Sequence, residues 1–196
     1  MKGVEHCDPR WFARVVMALA VLQAMAASAS AAGWRIDPAR TTIGFSIDAT
    51  GFPRTEGRFR RFEGRISVAL DRPDRSTVAF HVQSQSVDVG STAFSDYVRS
   101  PAFLDSAAHP SIDFVSTSVR KINDHAVRVT GDLTLLGVTK SIAIVVDVER
   151  EEAHGREGLA FRAETKIDRL AFGMTSGYPL VSRDVDLKIS SAAEAN

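Results

Sequence analysis

Residues Val127 to Val148 read VRVTGDLTLLGVTKSIAIVVDV, and this stretch decides the fold. Val127, Val129, Gly131, Leu133 and Leu135 fall at every second position, as do Ile142, Ile144, Val146 and Val148. A period of two is the spacing at which side chains alternate between the faces of a strand. Gly137 punctuates the two runs, so they read as neighbouring strands joined by a short turn.

The pattern continues outward in both directions. Toward the C-terminus it recurs in Leu159, Phe161, Ala163, Thr165 and Ile167, then in Val185, Leu187 and Ile189, with turn signals at Asn123-Asp124 and between Gly155 and Gly158. Toward the N-terminus it appears in Ile43, Phe45 and Ile47, in Ile66, Val68 and Leu70, in Val78, Phe80 and Val82, and in Ile112 and Phe114. Four long strands with short turns make an antiparallel meander. With the earlier ones they predict an all-β domain of eight or nine strands, enough to close a barrel and remove exposed sheet edges.

Two stretches depart from the period. Thr92 to Asp105 places Phe94, Tyr97 and Val98 at helical spacing after a Ser91 or Thr92 cap, predicting one or two short helices over residues 92–105 ended by Pro101. Arg54 to Arg61, RTEGRFRR, reads as a solvated, bulged edge or loop.

The 196 residues, 44% hydrophobic and 24% charged, suit one globular domain and exclude a disordered or fibrous chain. At the N-terminus Lys2, Arg10 and Arg14 precede the apolar run Val15–Ala27, followed by Ala29-Ser30-Ala31. That layout predicts a cleavable signal peptide over residues 1–32, a domain over 33–196, and a periplasmic or secreted location; an uncleaved N-terminal anchor is the alternative. Without residues 1–32 the chain loses Lys2, Arg10, Arg14, Glu5 and Asp8 from its 24 basic and 24 acidic residues and stays near neutral. Nothing then favours nucleic acid as a partner, and no later segment approaches membrane-spanning length. Cys7 lies in the leader, so disulfides and thiol chemistry are absent from the domain.

Catalytic and metal signatures are missing. There is no Gly-x-Ser-x-Gly, Gly-x-x-x-x-Gly-Lys or His-Glu-x-x-His, and His81, His109, His125 and His154 are widely spaced. What the domain does carry is aromatic: ten of the eleven phenylalanines follow the leader. An eight-stranded barrel either fills its interior with side chains or holds one small elongated ligand. Gly131 and Ala163, small residues beside large apolar ones on the inward face, point to room in the lumen.

The residues also carry a family resemblance. Trp34-Arg35-Ile36-Asp37 with TIGFSID, Gly57-x-Phe59-x-x-Phe62-x-Gly64, SVDVG, Phe103-Leu104-Asp105, Pro110-x-Ile112-x-Phe114-x-Ser116, GDLTLLGVTKSI, and Ile167-Asp168-Arg169 before Phe172-Gly173-Met174 occur in the order that resembles the YceI-like polyisoprenoid-binding family. The resemblance implies an exported bacterial, lipocalin-like barrel that holds a long isoprenoid or similar amphiphilic lipid and is not an established enzyme. This chain departs from the family at Ala49, at Asp96-Tyr97-Val98 and at Ala171, each replacing a polar or titratable group. The departures favour a more apolar ligand recognised by its chain.

The candidate ligand-binding residues are therefore Phe45, Phe80, Phe114, Leu133, Ile144 and Phe161 in the lumen and Phe94, Tyr97 and Phe103 as a lid or mouth. Asp96, Asp168 and Arg169 are candidates to order that mouth or meet a headgroup. No catalytic or metal residue and no cofactor is implied; an isoprenoid lipid or quinone would be a ligand. The oligomeric state stays open, a homodimer paired through a barrel edge included. Two rivals accompany this reading: an enzyme acting on a lipid or quinone through Asp168, Arg169 and Tyr97, and a solid-core barrel that binds another protein.

Overall fold

The computed structural model describes residues 32–69, 72–153 and 156–195. The signal-peptide reading of residues 1–32, apart from the backbone of Ala32, lies outside the described residues, as do Leu70, His154 and Gly155. The strands are β1 (Ala32–Ile36), β2 (Thr42–Ala49), β3 (Thr55–Phe59), β4 (Phe62–Val68), β5 (Thr77–Gln83), β6 (Val87–Asp88), β7 (Ser111–Asn123), β8 (Ala126–Leu135), β9 (Val138–Ala153), β10 (Arg156–Asp168) and β11 (Val181–Ala195). One α-helix, α1 (Thr92–Arg99), lies between β6 and β7.

Every neighbouring pair is antiparallel, and the order β1-β4-β5-β7-β8-β9-β10-β11 closes because β11 also pairs with β1. Closure leaves no free edge along that ring. The remaining segments extend it lengthwise: β2 follows β1 alongside β11, β3 pairs with β2 and leads into β4, and β6 pairs with β3 beyond the end of β5. Eleven segments thus share eight positions around the barrel, in line with the expected eight or nine strands.

The interruptions have local causes. Between β1 and β2, Pro38 cannot donate to a ladder, and Asp37 accepts from the Ala39 amide at 2.9 Å to start a 3-10 turn. Another 3-10 turn, Ser84–Ser86, separates β5 from β6. Arg60 and Arg61 separate β3 from β4. Of the edge or loop expected over Arg54–Arg61, the structure has a strand, paired along its length with β2 and with β6 only at Arg58 and Phe59. Thr55–Phe59 is a paired strand whose half-buried Thr55, Gly57 and Phe59 alternate with exposed Glu56 and Arg58. Glycine and threonine on the inner face hid the alternation.

The β8–β9 turn has Leu136 and Gly137 at φ 52° and 71°, the positive pair that a two-residue hairpin turn requires. The β7–β8 hairpin turns at the opposite end of the barrel, across Asn123 and Ala126. α1 is a single helix: the Ser91 side chain caps it by accepting from the Phe94 amide, and it stops at Ser100 before Pro101. The one-or-two-helix expectation resolves to this one.

Buried apolar side chains gather in two places. Val87, Leu104, Leu133, Leu135, Ile167, Phe172 and Met174 pack together at the α1 end, while Trp34, Leu159 and Ala193 pack with Val68, Val148 and Phe161 nearer the hairpin end.

Candidate functional site: an apolar lumen

Between these clusters lies a cavity of about 530 Å³, within the ~300–1,000 Å³ range of small-molecule sites. Its wall takes Ile43 from β2, Phe59 from β3, Ile66 from β4, Val78 and Phe80 from β5, and Ile112, Phe114 and Val119 from β7. Val129 and Leu133 of β8, Ile144 and Val146 of β9, Phe161 and Ala163 of β10, and Leu187 and Ile189 of β11 complete it. Period-two alternation puts these residues on one face of each strand, and closure turns that face inward.

The lumen stays hollow because rings lie against the wall. Gly64 and Phe80 are direct cross-strand partners, and a Cβ on Gly64 would stand 2.9 Å from Phe80 Cε1. At Gly131 the same atom would meet Phe114 Cζ at 2.5 Å. Each ring therefore occupies the place of a missing side chain. The space expected directly at Gly131 is taken by Phe114, and the room appears instead in front of the flattened rings.

The two ends differ in chemistry. At the α1 end, Val87, Leu104, Phe172 and Met174 close the barrel with an apolar plug. At the hairpin end the cavity reaches Ser76, Lys121, Asn123, Asp124 and Arg150. Lys121 pairs with Asp124 at 2.5 Å, and this hydrogen bond and charge hold the Asp124 carboxyl below its ordinary pKa. Along the rest of the wall the polar side chain is Ser191, whose hydroxyl shares a 2.9 Å hydrogen bond with Thr41.

Phe80, Phe114, Leu133, Ile144 and Phe161 line this cavity. Phe45 does not: its ring packs on Phe59 at 5.7 Å and covers Gly57, joining the plug. The helical aromatics do not line the cavity either. Phe94 stacks on Tyr97 at 6.3 Å and Tyr97 meets Phe103 edge-on at 5.2 Å, but all three lie away from the cavity wall, at the plugged end. Arg99 pins this helix by donating to the Gln85 and Val87 carbonyls at 2.9 and 2.7 Å.

The three charged candidates are all bonded to other groups of the fold. Asp96 pairs with Arg99 at 2.6 Å on α1. Asp168 accepts from the Leu170 amide at 3.0 Å and pairs with Arg183 at 3.1 Å, not with Arg169. Arg169 is 1% exposed and donates to the carbonyls of Met174, Ser176, Val181 and Ser182. Burial lowers its pKa, and the neighbouring Asp168 charge offsets part of that. It cannot reach a headgroup from there.

On the outer wall His81 Nδ1 lies 2.6 Å from Asp113, which also accepts from Ser111 at 2.6 Å. Partial burial raises the Asp113 pKa, but the Ser111 and His81 hydrogen bonds prevail and hold it low. The carboxylate sits between the other two groups, so His81 is not placed to take the Ser111 proton as it would be in a nucleophilic triad. Among the described residues no group of three or more His, Cys, Asp or Glu could hold a metal ion.

The polar rim is what sequence reasoning missed. Lys121 follows Val119 by two positions, so the alternation of β7 carries it to the inner face; Asn123-Asp124 registered only as a turn.

The chain and its fold match known proteins. Residues 34–193 match the YceI-like domain. This chain belongs to the YceI-like family. It is 33% identical to Protein YceI of Escherichia coli O6:H1 over 178 residues, covering 89% of this chain and 93% of that protein. The crystal structure of Burkholderia cenocepacia BcnA shares the fold with a TM-score of 0.74 and 22% identity, over 80% of this chain and 98% of that one. A polyisoprenoid binding domain from Saccharophagus degradans, implicated in plant cell wall breakdown, aligns with a TM-score of 0.68 and 16% identity, over 85% of this YceI-like chain and 99% of that one.

Proposed function

We propose that this YceI-like protein is exported and carries or sequesters a long-chain amphiphilic lipid of the isoprenoid type, by binding alone. The observation that carries the reading is the lumen: an apolar cavity of about 530 Å³ with its polar side chains concentrated at one rim. The chain of the ligand lies along Val129, Ile144, Phe114 and Phe161, and its polar end stays at Lys121, Asn123, Asp124 and Arg150. Burial of hydrocarbon contributes roughly 25 cal/mol per Å², so such a ligand needs few polar contacts. The likeness to a polyisoprenoid binding domain supports the ligand class. The basic, apolar, then small-residue N-terminal segment supports export to the periplasm or beyond.

Mass spectrometry of an organic extract from protein purified without detergent tests this. A co-purifying long-chain lipid that is recovered unchanged after prolonged incubation is expected. Absence of any such lipid, together with failure to take up added polyprenol, overturns the reading; recovery of a chemically altered lipid replaces it with an enzyme.

A further inference from the structure

We infer that Gly64 sets the bore of the lumen and thereby admits methyl-branched chains. The inference rests on the carrier reading above and adds the residue that determines selectivity. Gly64 lies on the inner face of β4, directly across from Phe80 of β5. A Cβ there would collide with Ile36 Cδ1 on one side and stand 2.9 Å from Phe80 Cε1 and 3.2 Å from Phe80 Cδ1 on the other. Ile36 is 5% exposed and enclosed. Ile36 Cδ1 is the nearest atom and the tip of a flexible side chain, so it must give way as well; Phe80 faces the cavity, and the space open to its ring is the lumen. A methyl at position 64 therefore lifts Phe80 off the wall and narrows the passage.

The other inner glycines are not equivalent. At Gly131 an added Cβ would also stand 2.6 Å from the Val115 carbonyl oxygen, so substitution there distorts the sheet itself. Gly57 borders Phe45 and Val89, in the plug. Gly64 is the position where a small change acts on the bore through a side chain. A chain with methyl branches presents a wider cross-section than a straight one, so narrowing discriminates against it first.

The test compares wild type, Gly64→Ala and the double variant Gly64→Ala/Phe80→Leu by displacement of a fluorescent fatty-acid probe. The competitors are geranylgeraniol and the straight saturated alcohol of the same carbon number. Gly64→Ala is expected to weaken geranylgeraniol binding roughly tenfold or more, the scale on which one methylene matters in an apolar pocket. The straight alcohol should lose far less, and Phe80→Leu should restore the branched ligand. If Gly64→Ala does not fold, Phe80→Trp narrows the same passage from the opposite strand and should show the same selective loss. Equal affinities of wild type and the narrowed variants for both alcohols overturn the role of Gly64, as does an equal loss of both that Phe80→Leu leaves unrepaired. Failure of wild type to bind either alcohol overturns the carrier reading, and this inference with it.

Discussion

The Arg169 guanidinium donates to the Met174 carbonyl at 2.5 Å, and its other bonds hold Ser176, Val181 and Ser182. One buried side chain thus gathers the segment that joins β10 to β11. Arg169→Met leaves four carbonyls without this donor and should cost at least about 3 kcal/mol, which thermal melting would register as a fall of roughly 6–12 °C. Arg169→Lys keeps the charge without the planar fork and should recover only a minor part. Lipid binding well below the melting point should be unchanged in both, since Arg169 does not line the lumen; a selective loss of binding would falsify the structural role.

Ala163 faces the cavity beside Phe161 of its own strand and Ile189 directly across on β11. Ala163→Phe places a ring in the open space, so uptake of a polyprenol should fall at least tenfold while the ligand-free melting temperature holds or rises, as cavity filling commonly stabilises by ~0.5–2 kcal/mol. Phe161→Ala enlarges the lumen and removes packing against Trp34, Leu159 and Ala193. Its ring borders open space on one side, so its cost should be at or below the ~3–5 kcal/mol of a fully packed phenylalanine, with weaker ligand retention. Measuring melting and retention on the same two variants separates lumen wall from solid core.

The long strands were legible because both of their faces obey one period: Val127 to Leu135 and Ile142 to Val148 read inward where the structure has them inward. The broken strands were harder. β3 presents Thr55 and Gly57 to the interior, and neither registers as core in a hydrophobic pattern. Aromatic content correctly marked an apolar interior but could not say which rings face open space. That depends on cross-strand register, which lays Phe80 on Gly64 and sends Phe45 over Gly57 into the plug. The bonding of Arg169 was illegible for a related reason. Its four acceptors are backbone carbonyls created by the loop it organises, and these leave no residue signature.

The rim makes a separate claim about headgroups. Lys121, paired with Asp124, and Arg150 border the polar end of the cavity. Lys121→Glu places a second carboxylate beside Asp124, so a fatty acid should bind several-fold more weakly than to wild type, and the corresponding fatty alcohol nearly as before. The difference should shrink as salt is raised, because exposed charges are screened over about 8–10 Å at physiological ionic strength. Titrations of both ligands at low and high salt decide it; equal loss of acid and alcohol would place the headgroup elsewhere.

Asp186 on β11 joins three strands from outside the barrel, accepting from Lys166 of β10 at 2.5 Å and from Arg54 just ahead of β3. The Lys166 hydrogen bond, and then that of Arg54, holds its carboxyl below the ordinary carboxylate pKa. A depressed folded pKa stabilises fully above the unfolded value of about 3.9, and the stabilisation is lost as pH falls through the folded value. The same pairing raises the Lys166 pKa, and that contribution disappears only on the alkaline side, as pH climbs past the raised value. The stability difference between wild type and Asp186→Asn should therefore be constant from pH 7 down to about pH 5 and close below about pH 4. Denaturant melts across that range check it, and a difference that persists undiminished in acid would mean that Asp186 acts through packing and not through its charge.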